Sequence, residues 1–185
     1  MRAALLALVG AIALGACGPR DIVVAQADMP DGGRPMHDEP CTLDSECRPM
    51  DWCERASCTA VSGRCRPRPL FCDGAASPVC GCNGVTYWND CVRRAAGQSL
   101  SGAGECTAGA TCGGGQSCPD PHASCNLLVD EAASCSRATV GRCWGLPRDC
   151  PAGSPGGTFG PCSGGGMCVS SCEAIRAGQA HARCQ

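Results

Sequence analysis

Cysteine is the residue that most limits how this chain can fold. The 185 residues include 21 cysteines but only three Trp, one Tyr and two Phe. A short chain with so much cysteine is typical of a disulfide scaffold. Because the aromatic residues are too few for a conventional hydrophobic core, we expect cross-links to replace much of the burial that stabilises ordinary domains. The predicted fold class is therefore small and disulfide-rich.

The cysteine content and the charge also limit where the protein acts and what it binds. Disulfides persist in oxidising compartments, so we expect an exported protein. The formal net charge is only −2, and this balance gives no indication of a nucleic-acid-binding surface. We therefore expect no nucleic-acid partner.

The first 16 residues have the pattern of an export signal. Arg2 is followed by an apolar run from Ala3 to Leu14 and then by small residues. The stretch Leu14-Gly15-Ala16-Cys17 resembles the bacterial lipobox, which implies removal of residues 1–16 and lipidation of Cys17. Without Cys17, 20 cysteines remain, an even number that can pair completely. Ordinary cleavage near Gly15, with Cys17 left as a free thiol, is the alternative.

Residues 17–40 connect this leader to the cysteine-rich part. They mix Pro, Gly and charged residues and contain no cysteine after Cys17, so we expect a disordered tether. In the lipobox resemblance, Gly18 after the lipidated cysteine implies the outer membrane of a Gram-negative cell. The expected membrane contact is thus a lipid anchor in the cell envelope.

From Cys41 onward the cysteines form an internal repeat of two units, residues 41–109 and 110–185, with ten cysteines each. Both units begin with cysteines separated by five residues, Cys41 to Cys47 and Cys112 to Cys118. Both also contain "GRC" followed by six residues and a further cysteine, and both end in a similar stretch, "CVRRAAG" or "CEAIRAG". These shared features indicate a tandem duplication.

Turn and cap residues predict a hairpin and a helix in the first unit. Asn83-Gly84 favours a type I′ turn between strands at Cys80–Cys82 and Val85–Tyr87, because both turn residues tolerate positive φ. Asn89 stands where the N-cap of a helix over Cys91–Ala96 would be.

The second unit contains a different cap. Ser170 and Glu173 form a capping-box pattern ahead of a short helix that we expect to end at Gly178.

Residues 72–106 carry a resemblance to a known family. Seven residues separate Cys72 from Cys80 and ten separate Cys80 from Cys91, and the intervening sequence contains "PVCG", "GVTY" and "NDC". This pattern resembles the Kazal family of serine-protease inhibitors, in the variant found in bacterial secreted proteins. The resemblance implies a Kazal-like α+β unit, a short hairpin plus a short helix, at about residues 59–108.

The flanking regions are related to that family less closely. The upstream part, Cys41 to Cys65, is similar to the cysteine-rich segment of follistatin-like arrangements. The second unit is interpreted as a degenerate Kazal-like copy, because it lacks the Asn-Gly turn and the Val-Thr-Tyr strand.

The first unit departs from the family in its cysteines. Arg94 stands where the family has its fifth cysteine, and Cys82 stands where it usually has Thr or Ser. The resemblance implies bridges from Cys72 to Cys91 and from Cys80 to Cys106. On that basis Cys65 is expected to pair with Cys82.

The resemblance also implies a reactive-site loop from Cys72 to Cys80. The primary specificity residue would be Gly74, between Asp73 and Ala75, with Tyr87 and Asn89 supporting the loop. The leading hypothesis is inhibition of a serine protease by this loop. Gly74 has no side chain to fill a protease pocket, which forfeits about 2–3 kcal/mol relative to a buried Leu or Phe. The alternative is a protein-binding or adhesion module that keeps the scaffold without inhibiting.

Other uses of these residues are weaker hypotheses. Structural zinc usually takes two closely spaced ligand pairs, and each candidate pair here stands alone in its unit. We therefore expect no metal or other cofactor. His37, His122 and His181 lie in no recognisable catalytic context and are expected to be surface residues, so we expect no enzyme activity.

Overall fold

The chain folds into short strands joined by turns, with few and short helices. The computed structural model describes residues 37–152 and 157–184, which belong to one compact unit. We call residues 37–109 the first half and residues 110–184 the second half. None of the helices among the described residues has the length and hydropathy needed to cross a bilayer.

Each half is built mainly from strands. The strands of the first half are β1 (Pro40–Cys41), β2 (Asp51–Arg55), β3 (Gly63–Pro67), β4 (Val79–Gly81), β5 (Thr86–Tyr87) and β6 (Leu100–Ala103). Those of the second half are β7 (Thr111–Cys112), β8 (Ala123–Asn126), β9 (Leu128–Val129), β10 (Gly141–Gly145), β11 (Thr158–Pro161), β12 (Val169–Ser170) and β13 (His181–Arg183). The helices are α1 (Asp90–Ala95) and α2 (Ser171–Arg176), and the 3₁₀ helices are Asp44–Glu46 and Ala132–Arg137.

Ten disulfides hold these strands together, which confirms the small disulfide-rich class. The bridges of the first half are Cys41–Cys53, Cys47–Cys65, Cys58–Cys82, Cys72–Cys91 and Cys80–Cys106. Those of the second half are Cys112–Cys125, Cys118–Cys143, Cys135–Cys162, Cys150–Cys172 and Cys168–Cys184. Among the described residues, every bridge lies within one half. Such cross-links stabilise mainly by restricting the unfolded chain.

The bridges of Cys72 and Cys80 are those that the resemblance implied, but the predicted pair Cys65–Cys82 is wrong. Cys65 bonds Cys47, and Cys82 bonds Cys58. The reason is that the β2–β3 hairpin docks on Ser99, the residue just before β6. Both the N–H of Arg55 and the N–H of Cys82 bond Ser99, at 3.0 and 2.9 Å, which brings the end of the hairpin beside Cys82.

Both halves begin with the same three-stranded arrangement. β3 lies between β1 and β2, and β10 pairs with both β7 and β8. A Cβ at Gly63 would lie 2.3 Å from the carbonyl oxygen of Glu54, and one at Gly141 would lie 2.2 Å from that of Asn126. The glycine of each "GRC" therefore stands where two strands leave no room for a side chain.

The last four residues of the predicted tether are ordered, so the tether prediction is wrong for 37–40. Pro40 begins β1, and the carbonyl of Glu39 accepts a 2.9 Å bond from the N–H of Cys65. Asp38 pairs with Arg64 at 3.3 Å. The rest of the tether, the leader and Cys17 lie outside the described residues.

The hairpin at Asn83-Gly84 forms, but the turn is not of type I′. Gly84 has a φ of 76°, whereas Asn83 has no positive φ. The N–H of Gly84 bonds the carbonyl of Gly81, and the N–H of Gly81 bonds the carbonyl of Val85, both at 2.9 Å. This is a three-residue loop whose last residue is a left-handed glycine. The Asn83 side chain favours it by accepting the N–H of Val85 at 3.2 Å.

Both helix caps are as predicted. Asn89 accepts the N–H of Val92 at 2.9 Å and begins α1. Ser170 and Glu173 form a complete capping box at the start of α2. Gly97 and Gly178, with φ of 68° and 65°, follow the ends of the two helices.

The two halves share a sheet and a core. β5 pairs in parallel with β10, so that Thr86 lies opposite Trp144 and Tyr87 opposite Gly145. We call this β5–β10 contact the seam. The buried cluster around it contains residues of both halves, including Trp88, Trp144 and Ile175. The seam matters for function because the predicted reactive-site loop lies beside it.

Candidate functional site

The loop from Cys72 to Cys80 is fixed at both ends. Its first residue is bonded to Cys91 in α1 and its last to Cys106 beyond β6. Ala76 packs against the shared core. The exposed residues alternate along the loop and are Asp73, Ala75 and Ser77. One face of the loop is thus presented outward and the other lies on the scaffold.

Asn89 holds the loop, as predicted. Its side-chain amide donates to the carbonyl of Asp73 at 3.1 Å and to the carbonyl of Ala75 at 3.0 Å. Because its oxygen also caps α1, one buried side chain joins the helix to the carbonyls of the two residues that flank Gly74. The loop is therefore rigid around the predicted specificity residue.

The surroundings of Gly74 differ from those expected of a protease-binding residue. Its carbonyl accepts a 2.9 Å bond from the indole N–H of Trp88. A Cβ at Gly74 would lie 2.6 Å from the Cβ of Pro151, in the second half. The space that a specificity side chain would need is thus filled by the other half of the molecule.

Trp88 is the supporting residue that the sequence reasoning missed. It is only 3% exposed, and its ring meets that of Trp144 edge to face with 6.1 Å between centroids. Its backbone N–H bonds the carbonyl of Gly145 at 2.9 Å. Trp88 therefore joins the loop to both halves, and no local pattern around it signals these distant partners.

Tyr87 lies on the seam between the halves. Its hydroxyl donates to Asp120 of the second half at 3.1 Å and accepts a 2.9 Å bond from the Asn83 amide. Its ring fits between Gly81 and Gly145, where Cβ atoms would lie 2.6 and 2.3 Å from it. Burial raises the pKa of Tyr87 well above its usual value. The contacts found for Tyr87 therefore join the halves, while Asn89 and Trp88 hold the loop.

Two clusters of sulfur atoms occupy equivalent places in the halves. The sulfurs of Cys41, Cys47 and Cys65 lie within 4.8 Å of one another, as do those of Cys112, Cys118 and Cys143. Each of these sulfurs belongs to a disulfide, whereas metal ligation needs a thiolate. Each cluster is the place where two bridges pass close together.

The histidines are distributed differently from the sequence expectation. His37 and His122 are exposed, but His181 is 3% exposed, so its prediction as a surface residue is wrong. It is buried because β13 lies between β11 and β9. Its Nδ1 lies 2.9 Å from the carbonyl oxygen of Gln179.

Comparison with known proteins identifies no similar family or structure. The chain matches no protein-family model, no curated protein and no solved structure.

Proposed function

We propose that this chain is an exported, non-enzymatic protein-binding module with a Kazal-like scaffold at about residues 59–108, and that it does not inhibit proteases through Gly74. The bridges Cys72–Cys91 and Cys80–Cys106, the β4–β5 hairpin and the cap at Asn89 support the scaffold. The disulfides agree with an oxidising compartment.

The observation that carries this proposal is the 2.6 Å approach of a Gly74 Cβ to Pro151. An inhibitory loop gains affinity from an anchor side chain in a pocket and from a shape already suited to binding. This loop has the second property through Asn89 but lacks the first. A rigid loop without an anchor side chain is suited to binding a protein partner that does not need a side chain in a protease pocket.

A protease panel tests the proposal. We expect no inhibition of subtilisin-, elastase- or trypsin-like enzymes by micromolar protein through the bond between Gly74 and Ala75. Gly74→Leu should gain no inhibition of a chymotrypsin-like enzyme, because its side chain would meet Pro151. Stoichiometric inhibition with slow cleavage after Gly74 would contradict the proposal.

Inhibition by this loop is the second candidate, because Asn89 holds the carbonyls on both sides of Gly74. The double variant Gly74→Leu/Pro151→Gly separates a covered loop from an incompetent one. If the double variant inhibits a chymotrypsin-like enzyme and Gly74→Leu alone does not, the loop is competent and the second half covers it.

Binding itself is tested by photo-crosslinking in the envelope of the producing cell. A crosslinker at exposed Ala75 should give a discrete protein adduct, and one at exposed Val140 in the second half should not. Equal labelling from both positions would contradict a binding role for the loop.

The lipid anchor is part of the same proposal. Metabolic labelling with a fatty acid should mark the wild-type protein, and Cys17→Ser should abolish the label. Labelling that survives this substitution would contradict lipidation at Cys17.

A further inference from the structure

Three exposed apolar side chains gather at one end of the β2–β3 hairpin. Met50 precedes β2, and Leu70 and Phe71 follow β3. Because the strands are antiparallel, the start of β2 lies beside the end of β3. The N–H of Arg68 bonds the carbonyl of Met50 at 2.9 Å, which keeps the two chain segments together beyond the sheet. We call Met50, Leu70 and Phe71 the apolar tip.

The exposure of the tip is unusual for this chain. Met50, Leu70 and Phe71 are 62%, 72% and 88% exposed. The other five aromatic residues of the chain are at most 7% exposed: Trp52, Tyr87, Trp88, Trp144 and Phe159. Single apolar side chains on a surface are ordinary, whereas neighbouring ones commonly mark a surface that contacts a protein or a membrane.

Met50 occupies a backbone conformation that suits glycine better. In the described ranges it is the one residue other than glycine with a positive φ, of 74°. The N–H of Asp51 bonds the carbonyl of Arg48 at 3.0 Å, which closes a turn with Pro49 second and Met50 third. Turns with proline second and a left-handed third residue favour glycine or asparagine there. The turn does not explain a methionine, and such departures cluster at functional sites.

Arg68 and Cys72 restrain the segment that carries Leu70 and Phe71. The guanidinium of Arg68 bonds the carboxylate of Asp44 at 2.9 Å, and Cys72 is bridged to α1. The two apolar side chains therefore project from a short segment that is held at both ends, and burying them would order little further backbone. Because Arg68 is paired with an acid, apolar burial rather than charge is the main driving force available to this surface.

The N-terminal part of the chain enters the fold at the same end of the hairpin. Nδ1 of His37 lies 3.2 Å from the carboxylate of Asp51, which is the next residue after Met50. Only 19 residues separate His37 from Cys17, the proposed site of lipidation. Even fully extended, this part of the chain spans at most about 70 Å. A bilayer that holds Cys17 is therefore always near the fold, and the chain that leads to it starts beside the tip.

We propose that the apolar tip inserts into the interface of the bilayer that holds the lipid anchor, with the side chains of Met50, Leu70 and Phe71 buried at the boundary of the acyl chains. This inference rests on the anchor of the proposed function and adds a second membrane contact to it. Phe and Leu are typical of protein faces buried at this depth. Because the anchor raises the local concentration of lipid, the tip needs little affinity of its own. The loop begins at the next residue, Cys72, so the contact also brings the loop close to the membrane surface.

Fluorescence quenching by brominated phospholipids tests the insertion. The mature, lipid-anchored chain is placed in vesicles of phosphatidylethanolamine and phosphatidylglycerol. Phe71→Trp adds an exposed indole at the tip, whereas the native Trp52, Trp88 and Trp144 are buried. Relative to the wild-type chain, the added emission should be quenched when the acyl chains carry bromine. Met167→Trp is the matched control, since Met167 is 87% exposed in the second half, and its added emission should not be quenched.

The affinity of the tip alone is measured with the mature chain that carries Cys17→Ser, by titration with the same vesicles. Phe71→Ala should lower the partition coefficient by about 10- to 100-fold, from loss of one buried aromatic side chain. Met50→Gly should also lower it by about 10-fold or more. Because glycine tolerates the left-handed turn, the urea midpoint of Met50→Gly should not fall below that of the wild-type chain. Met167→Ala should change neither quantity.

Three results would overturn the inference. The first is that bromine does not quench the indole of Phe71→Trp in the anchored chain. The second is equal quenching from Met167→Trp, which would show that the tip has no special contact with lipid. The third is a discrete protein adduct, without lipid adducts, from a photo-crosslinker at position 71 in the envelope of the producing cell, which would assign the tip to a protein partner.

Fatty-acid labelling separates this inference from the proposed function. A chain that is labelled at Cys17 but shows no quenching at Phe71→Trp overturns only the insertion of the tip. A wild-type chain without label contradicts the lipid anchor. Quenching of Phe71→Trp in the chain that carries Cys17→Ser would still support the tip in that case, because it needs no anchor.

Discussion

The two halves keep their cross-links in corresponding places but use different residues to do so. In the first half, Cys80 on β4 bonds Cys106. The corresponding residue on β11 is Gly160, since Cys82 and Cys162 follow two residues later and bond Cys58 and Cys135.

Cys168, just before the neighbouring strand, supplies the missing sulfur. It precedes β12, which pairs with β11, and bonds Cys184. A Cβ at Gly160 would lie 3.4 Å from the sulfur of Cys184 and 4.0 Å from that of Cys168. The position of the bridge in space is retained while its position in the sequence has moved.

The loops of the halves differ more than their bridges do. The first half has an amide at Asn89 and an indole at Trp88 that hold the loop around Gly74. In the second half Ser170 has only a hydroxyl, which is engaged with Glu173 in the cap of α2. Pro151 instead lies against Gly74. The second half thus keeps the disulfide framework of the first half, and its Pro151 covers the loop around Gly74.

Removing the equivalent bridge from either half should have the largest effect on stability. The pairs Cys72–Cys91 and Cys150–Cys172 span similar separations of 19 and 22 residues. Replacing both members of either pair by Ala should lower the free energy of unfolding by about 2–5 kcal/mol. Because the halves share a core, urea unfolding should remain a single transition. Separate transitions for the two halves would contradict the shared seam.

Replacing the two caps should separate loop support from helix capping. Asn89→Ala should cost about 3 kcal/mol, from the cap and from two bonds to the loop. Ser170→Ala should cost about 1 kcal/mol, from the cap alone. Asn89→Asp is the matched control, because it still caps the helix but cannot donate to the loop, and it should cost about 2 kcal/mol. Urea unfolding measures all three, and wild-type stability of Asn89→Asp would contradict the loop bonds.

Adding a side chain between β5 and β10 should destabilise the molecule. A Cβ at Gly145 would lie 2.3 Å from the Tyr87 ring, whereas one at Gly102 would meet nothing within 4 Å. Gly145→Ala should therefore cost about 1–3 kcal/mol by overpacking. Gly102→Ala is the control and should change the unfolding free energy by less than about 1 kcal/mol. Similar effects at the two positions would indicate that β5 and β10 do not pair as described.

The partner of Cys184 can be moved from position 168 to position 160, the position that corresponds to Cys80 in the first half. In the double variant Gly160→Cys/Cys168→Thr, the introduced thiol should bond Cys184, which reproduces the arrangement of the first half. Stability should change by no more than about 1 kcal/mol, because loop-closure entropy varies slowly with loop length. Peptide mapping by mass spectrometry identifies the bridge. A free introduced thiol or scrambled pairs would contradict the proposed equivalence.

The smallest expected difference between the halves is in how the stabilities of α1 and α2 depend on pH. Bonds from the N–H and hydroxyl of Ser170 hold the pKa of Glu173 below its usual value. Because the folded-state pKa is lowered, this stabilisation is present above the unfolded pKa and is lost as pH falls through the folded value. The Asn89 amide does not titrate. Amide exchange followed by NMR should therefore show α2 losing protection before α1 on acidification, and the reverse order would contradict this.

Local sequence signals predicted local structure well. The cap residues Asn89 and Ser170 mark the starts of both helices, because a cap needs only partners within one turn. The prediction at Asn83-Gly84 identified the hairpin but not the turn type, since the Asn83 side chain binds Val85 and Tyr87 in the folded chain.

Long-range contacts account for the features that could not be predicted. Cys82 bonds Cys58 because the β2–β3 hairpin docks on Ser99, and no spacing in the sequence encodes that docking. Likewise, the resemblance placed Asn89 correctly on the loop, but the approach of Pro151 to Gly74 depends on how the two halves pack.

The most direct test of this account is an NMR measurement of nuclear Overhauser effects in the disulfide-intact protein. If the second half covers the loop, the α protons of Gly74 should show strong cross-peaks to the ring protons of Pro151. If these cross-peaks are absent and the same protons contact only solvent, the loop is open and the central claim is contradicted.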